Sequence, residues 1–291
     1  MNGSEPLAYG RRLSVAAGAV AAAVLLAACS QTAGAAKDTT TSSAPATSST
    51  TTTSSTLAAG AVSIVKAPVR VADTTDGLVG YRQVGAGPPL LMIMGYSGTM
   101  DDWEPNFIDA LAREHTVVIF DNAGIGMTSG LKGTLTVTAM ARQTAALIQC
   151  LHLGSPEVLG WSMGTMIAQA LTVLYPTLVS RLVLCASYPG NGKGKLPSAS
   201  ASEALSHSTK SDAGSLLGLL FPANQKAALD FYVHEISLFP HFYVSSAAVQ
   251  KAQLGALVSW LFGKETAGHG VSQISVPTLI ADGSADDLDP T

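Results

Sequence analysis

The chain has 291 residues, of which 47% are hydrophobic and 12% are charged, and its formal net charge is -4. A chain of this length and composition can bury a substantial core, which excludes an intrinsically disordered protein. A negative net charge without a long basic block provides no electrostatic surface for DNA or RNA. We therefore expect no nucleic-acid partner.

The N-terminal segment has the pattern of an export signal. Arg11 and Arg12 precede the apolar run LSVAAGAVAAAVLLAA, which is shorter than the roughly 20 residues that span a bilayer comfortably. The run ends in LAAC, which resembles a bacterial lipobox, whose cysteine becomes the lipidated first residue. We predict that residues 1–28 are a signal peptide and that lipid on Cys29 holds the protein at the extracytoplasmic face of the cell membrane. The alternatives are an uncleaved anchor helix and signal cleavage nearby that leaves Cys29 unmodified.

Residues 29–60 are rich in threonine and serine and contain almost no large apolar residue. Such a segment buries too little surface to offset its ordering entropy, so it is predicted to be a disordered stalk. The folded domain is accordingly predicted for residues 61–291.

Two cysteines, Cys150 and Cys185, lie within the predicted domain. They either form a disulfide outside the cytoplasm or remain as core thiols, and the buried-strand pattern RLVLCAS around Cys185 favours the second interpretation. The spacing of cysteine and histidine residues is not typical of a metal site, so no metal is expected.

Strand and helix patterns alternate along the domain. PLLMIMG (89–95) and TVVIFD (116–121) are short apolar runs of the kind found in buried parallel strands. Thr136 then caps a predicted amphipathic helix. EVLGW is predicted to be the next strand, SMGTMIAQALTVLY a buried helix that stops at Pro176, and RLVLCAS another strand. This order predicts an α/β fold with a doubly wound, mostly parallel sheet.

The sequence GWSMG places Ser162 between Gly160 and Gly164, after a predicted strand and before a predicted helix. A G-x-S-x-G sequence in this position is typical of the nucleophile elbow, where the turn is so sharp that flanking side chains would collide with the backbone. Ser162 is therefore predicted to be a nucleophile at the carboxyl end of the sheet, next to the positive end of the following helix. The alternative is a glycine-rich turn without chemistry.

These residues resemble the α/β-hydrolase superfamily, and a second segment agrees. MIMGYSGTMDDWEP resembles the loop that supplies half of the family's oxyanion hole. The resemblance implies that the backbone N–H groups of Tyr96 and Met163 hold the developing negative oxygen. FDNAGIGMTS resembles the D-x-R-G-x-G-x-S turn after the fourth strand, but Ala123 stands where the family usually has arginine.

The segment VPTLIADGSADDLDP resembles the family's seventh strand and acid turn. In that turn the acid follows a glycine by three residues, which implies Asp286, with Asp287 and Asp289 as adjacent alternatives. The stretch from about residue 187 to 267 corresponds to the family's helical cap over the active site. The resemblance further implies a small-molecule ester or acyl substrate and no cofactor.

The family's histidine follows the acid by about one strand and one helix, and residues 287–291 contain no histidine. We therefore expect that the last strand, the last helix and the catalytic base are missing from this sequence, as in a C-terminally truncated family member. His234 and His241, both within the predicted cap, are the candidates for a substitute base.

The sequence thus predicts a lipid-anchored extracytoplasmic serine hydrolase, and in particular a carboxylic-ester hydrolase, that uses Ser162 and Asp286. Two alternatives remain open. One is a non-catalytic surface-binding lipoprotein that retains the pocket, and the other is a cofactor-free haloperoxidase or carbon–carbon hydrolase, which uses the same triad.

Overall fold

A computed structural model describes residues 62–207, 220–221, 223–240 and 243–283, together with Asp286 and Leu288. The predicted signal peptide, Cys29 and the predicted stalk lie outside these residues, as do His241, Asp287 and Asp289. The described part forms one seven-stranded sheet with the strand order β1-β2-β4-β3-β5-β6-β7. Its strands are β1 (Arg70–Thr74), β2 (Gly77–Val84), β3 (Pro89–Ile93), β4 (Thr116–Phe120), β5 (Glu157–Trp161), β6 (Arg181–Cys185) and β7 (Thr278–Ala281).

The sheet is mostly parallel, as predicted. β1 and β2 form an antiparallel pair, β2 joins β4 antiparallel, and the strands from β4 to β7 are parallel to one another. The carboxyl ends of β3, β5, β6 and β7 therefore lie at the same edge of the sheet. In open α/β sheets this is the edge at which ligands bind.

Helices pack on the sheet and separate its parallel strands. They are α1 (Pro105–Leu111), α2 (Val137–Cys150), α3 (Met163–Leu174), α4 (Ala199–His207), α5 (Lys226–Ile236), α6 (Ala247–Leu261) and α7 (Thr266–His269). Helix α2 begins as the sequence predicts, because the Thr136 side chain accepts a hydrogen bond from the Ala139 N–H at 3.0 Å. Helix α3 is almost entirely buried, and its last residue, Leu174, lies two positions before Pro176.

The segment between β6 and β7 contributes α4 to α7 and contacts the rest of the fold through buried side chains. Trp260 of α6 is fully buried, and its Nε1 donates to the Tyr188 carbonyl at 3.1 Å. Tyr232 of α5 donates through its hydroxyl to the Asp102 carbonyl at 3.1 Å, across the loop that follows β3. These contacts fix α5 and α6 on the side of the sheet where the loops after the strands meet.

Strand β7 lies at the edge of the described sheet, hydrogen-bonded on one side to β6. Leu279 and Ile280 are 60% and 59% exposed, although they are large apolar residues in consecutive positions and so point to opposite faces. An apolar edge of this kind is a place where a further strand can pair.

No disulfide joins Cys150 and Cys185, and Cys185 is buried at the end of β6. The interpretation as core thiols is therefore correct for Cys185, whereas Cys150 is partly buried at the end of α2. Within the described residues, no helix combines the length and apolar character that a membrane crossing requires.

Candidate active site

Ser162 occupies the turn between β5 and α3 in a backbone conformation that L residues rarely adopt. Its φ is 52° and its ψ is -123°, an arrangement that costs on the order of 1–3 kcal/mol. The turn is fixed on both sides, because the Ser162 N–H donates to the Cys185 carbonyl at 2.9 Å and the Ser162 carbonyl accepts from the Thr165 N–H at 2.8 Å. Neighbouring hydrogen bonds thus hold the strained backbone of Ser162. The Ser162 side chain is partly exposed at the edge of the sheet.

The two glycines that flank Ser162 are required by close approach of backbone to backbone. A Cβ at Gly160 would lie 2.5 Å from the Gly164 carbonyl oxygen, and a Cβ at Gly164 would overlap the Ile93 carbonyl oxygen. Only glycine fits at both positions. The residues at the carboxyl end of β3 therefore lie directly against the start of α3.

That contact brings together the two backbone segments predicted to form the oxyanion hole. Gly95 packs against the ring of Trp161, the residue before Ser162. A Cβ at Gly95 would lie only 2.8 Å from that ring. On the other side, Asn122 donates through Nδ2 to the Met94 carbonyl at 2.8 Å. Met163 is the first residue of α3, and the first N–H groups of a helix lack an acceptor within the helix. Tyr96 is buried in the loop after β3, in the same hydrophobic cluster as Met163. The N–H groups of Tyr96 and Met163 remain the predicted oxyanion donors.

The predicted acid lies in the turn after β7. Asp286 is partly buried, its N–H donates to the Gly283 carbonyl at 3.2 Å, and its Oδ1 accepts from the Leu288 N–H at 2.8 Å. A second carboxylate, Asp282, directly follows β7 and accepts through Oδ1 from the Ser187 N–H at 2.8 Å. Burial raises the pKa of Asp282, the hydrogen bonds from Ser187 lower it, and the charge of Asp286 raises it further.

The strand order places the predicted nucleophile and the predicted acid two strands apart. Ser162 follows β5 and bonds to the end of β6, whose next residue, Ala186, donates to the Ala281 carbonyl at 3.1 Å. Neighbouring strands are about 4.8 Å apart, so the turns after β5 and β7 are separated by about 10 Å. An imidazole ring with one hydrogen bond on each side spans a gap of this size.

The histidines whose side chains are described are engaged elsewhere or face solvent. His115 lies 3.7 Å from Glu157, which begins β5 at the opposite end of the sheet, and exposed His152 follows α2 at that end too. His269 is exposed and lies 2.8 Å from the Gly263 carbonyl through Nε2. His234 is exposed on α5. The side chain of His207, like His241, lies outside the description, so the site has no histidine base among these described side chains.

A buried charged cluster supports the loop after β3. Arg82 on β2 pairs with Asp101, through Nε to Oδ1 at 2.8 Å and through Nη2 to Oδ2 at 3.0 Å. Asp102 and Asp121 are buried beside this pair, and the Asp121 Oδ1 accepts from the Met100 N–H at 2.7 Å. The cluster therefore contains three buried carboxyl groups and one arginine. Sequence reasoning missed this cluster, because it joins β2 to two loops that are distant along the chain.

Burial is the main reason that two of these carboxyl groups have a raised pKa. It raises the pKa of Asp121 to about 7, with the Asp101 charge adding to the effect while the Met100 N–H and Arg82 oppose it. Burial likewise raises the pKa of Asp102 well above its ordinary value, and the Asp101 and Asp121 charges raise it further against the hydrogen bond from Thr99. Both acids are therefore more readily protonated in the folded chain than in the unfolded chain.

The free energy of unfolding should fall as the pH rises from about 4 to about 7, because the folded protein holds the Asp121 proton more tightly than the unfolded chain does. The loss expected from Asp121 is about 2–4 kcal/mol. Asp121→Asn should remove this part of the slope, whereas Asp76→Asn, at an exposed position, should leave it unchanged. Urea unfolding at several pH values measures the difference, and equal slopes for the Asp121 variant and the wild type would contradict the assignment.

The segment between β6 and β7, which is predicted to be the cap, contributes contacts to the loop after β3 that the sequence does not indicate. Gln253 of α6 accepts through Oε1 from the Ser97 N–H at 2.7 Å, and Gln250 donates through Nε2 to the Ser97 Oγ at 3.2 Å. Ser245 also bonds to Ser97, since its Oγ donates to the Ser97 carbonyl at 2.9 Å. Within the described residues no group of three or more His, Cys, Asp or Glu side chains is placed to hold a metal ion.

The fold and the site define a protein of the hydrolase type, with a serine at a strand-to-helix elbow and a loop after β3 packed against it. A family model described as the alpha/beta hydrolase fold matches residues 88–286. The chain therefore belongs to the α/β-hydrolase fold family.

Comparison with individual relatives gives shorter matches. A Mycobacterium tuberculosis protein that carries the name non-heme bromoperoxidase BpoC is 43% identical over 108 residues, which is 37% of this chain and 41% of the relative. Pyrrolizixenacetamide deacetylase of Xenorhabdus hominickii is 31% identical over 113 residues, or 39% of this chain and 42% of the relative. These matches span about two fifths of each relative's length.

The solved structures agree on the fold. An alpha/beta hydrolase fold protein from Chitinophaga pinensis superposes with a TM-score of 0.65 at 24% identity, covering 78% of this chain and 84% of that chain. The esterase RhEst1 from Rhodococcus sp. ECU1013 gives a TM-score of 0.60 at 20% identity, covering 76% and 82%.

Proposed function

We propose that this protein is a serine hydrolase that cleaves carboxylic esters, with Ser162 as nucleophile and the N–H groups of Tyr96 and Met163 as the oxyanion hole. The observation that carries the proposal is the strained backbone of Ser162, held between two glycines that no other residue can replace. A turn without chemistry has no need to hold a serine at positive φ. The reaction requires no cofactor.

In this proposal the hydrolysis proceeds in two acyl-transfer steps. The Ser162 Oγ attacks the ester carbonyl carbon as a histidine takes its proton, and the carbonyl oxygen gains a negative charge in the oxyanion hole. The alcohol leaves with the proton from that histidine, and water then releases the acid from the acyl-serine. Asp286 holds the imidazole in the tautomer that accepts the Ser162 proton.

The base is the part of the triad that the described residues do not supply, and we propose that it is a histidine from outside residues 1–291. Two features support this: the gap of about 10 Å between the turns after β5 and β7, and the apolar edge of β7. A further strand on β7 would cover Leu279 and Ile280 and carry the chain past the acid turn.

Two alternatives remain, and the comparisons support the first. The relative named as a bromoperoxidase favours a cofactor-free haloperoxidase, a reaction that the family runs with the same triad. A non-catalytic surface-binding protein would retain the pocket and have no activated serine.

Covalent labelling by a fluorophosphonate separates an enzyme from a binding protein when it is run on the protein with the proposed histidine present. We expect Ser162 to carry the label and Ser162→Ala to abolish it, because the reaction requires an activated hydroxyl at that position. Ser97→Ala is the matched control at a second serine of the site, which should still be labelled at Ser162. Absence of labelling in the wild type would favour the binding protein.

We also propose that Cys29 carries lipid and holds the domain at the extracytoplasmic face of the cell membrane, since LAAC follows an export-type apolar run. Cys29→Ala should release the protein from the membrane fraction or leave an uncleaved precursor of higher mass. Unchanged fractionation together with unchanged mass would refute the anchor.

A further inference from the structure

Ser97, the residue after the proposed oxyanion donor Tyr96, has a φ of 64° and is buried. A serine in the left-handed region costs on the order of 1 kcal/mol or more unless its surroundings hold it there. The residues that hold it come from α6 and the segment just before it, about 150 positions later in the chain. The shape of the oxyanion loop is thus set by the cap.

Gln253 makes the contact to the backbone of this loop. Its side chain is completely buried, and its Oε1 accepts from the Ser97 N–H at 2.7 Å. Within the described residues its Nε2 has no hydrogen-bond partner. The amide cannot be reversed without placing its NH2 group against the Ser97 N–H. The bond to Ser97 is therefore the one that orients this side chain.

Gln250 and Ser245 bind the same residue in a different way. Gln250 donates to the Ser97 Oγ at 3.2 Å, and the Ser245 Oγ donates to the Ser97 carbonyl at 2.9 Å. Gln250 and Ser245 also bond to each other, since the Gln250 Nε2 donates to the Ser245 Oγ at 3.1 Å. They can satisfy one another without Ser97, whereas Gln253 has no such second contact.

We propose that Gln253 is a positioning residue for the oxyanion hole. By holding the Ser97 N–H it fixes the peptide that follows Tyr96 and so directs the Tyr96 N–H at the substrate oxygen. The cap then does more than enclose the substrate, because the hole is complete only when α6 is seated on the loop. This inference rests on the proposed hydrolase function for its effect on binding, but the contact itself can be tested without any reaction.

The test uses the full chain and two readouts. Gln253→Met has nearly the shape of glutamine and lacks the acceptor, so exchange of the Ser97 amide hydrogen should accelerate at least about tenfold. Gln253→Glu keeps an acceptor oxygen and should restore slow exchange. Gly255→Ala, on the exposed side of the same helix with nothing within 4 Å of the new Cβ, is the control and should exchange as the wild type does.

The second readout is binding of phenylboronic acid to the protein with the proposed histidine present. The acid forms a tetrahedral adduct on the serine that boron NMR distinguishes from the free trigonal acid. Gln253→Met should weaken this adduct at least about tenfold with little change in melting temperature, and Gly255→Ala should not weaken it. Unchanged Ser97 exchange or unchanged boronate affinity in Gln253→Met would overturn the proposal. If the protein with the proposed histidine present forms no adduct, the hydrolase proposal fails, and the exchange rates still decide whether Gln253 holds the loop.

Discussion

Gly164→Ala should destabilise the protein by more than about 3 kcal/mol or prevent folding, because the added methyl group overlaps the Ile93 carbonyl oxygen. The neighbours here are the backbone of β3 and the start of the oxyanion loop, and neither can move without separating β3 from α3. The same change therefore displaces the two halves of the proposed oxyanion hole from each other.

Gly255→Ala is the matched comparison, since it makes the same substitution in the middle of α6 with open space around the new Cβ. Alanine is favoured over glycine in a helix by about 0.5–1 kcal/mol, so this variant should be slightly more stable than the wild type. Urea unfolding of both variants measures the contrast. If Gly164→Ala is as stable as Gly255→Ala, the close approach of α3 to β3 is wrong.

The elbow and its neighbours could be predicted from the sequence because their signals are local. A buried strand, a glycine-flanked serine and a buried helix follow one another between Glu157 and Leu174, and the structure places them with almost those bounds. The N-cap of α2 is equally local, since the donor, the Ala139 N–H, and the acceptor, the Thr136 hydroxyl, lie three residues apart.

The support of the site could not be predicted, because it depends on residues that meet only in the folded chain. Gln253 reaches Ser97 across 156 positions, and Ser187 reaches Asp282 across 95. The resemblance indicates that Ala123 stands where the family usually has an arginine. Nothing in the sequence indicates that the buried arginine beside the loop after β3 is Arg82, which lies on β2, two strands away from β3.

The second large effect is expected on catalysis, and its measurement requires two forms of the protein. One is residues 1–291, and the other is the same chain extended beyond β7 by a strand, a helix and a histidine aimed at the gap between Ser162 and Asp286. In the extended form Ser162→Ala should lower the turnover of a short p-nitrophenyl ester by at least about 1000-fold, because a serine activated by histidine accounts for nearly all of the rate.

Asp286→Asn in the extended form should lower turnover by about 100-fold or more, because the imidazole loses the partner that fixes its tautomer. Asp287→Asn and Asp289→Asn test the adjacent acids in the same way. The largest loss is expected at Asp286, and a larger loss at either neighbour would reassign the acid.

The most direct measurement of the central claim is the rate of p-nitrophenyl ester hydrolysis by residues 1–291, with and without Ser162. We expect Ser162→Ala to change this rate less than about twofold, because an unactivated hydroxyl contributes little and the effect of the oxyanion hole remains. The extended form run beside it shows that the fold and the assay are sound. Rapid turnover by residues 1–291 that disappears with Ser162→Ala would show that a base lies within them, and His234 and His241 would be the first candidates.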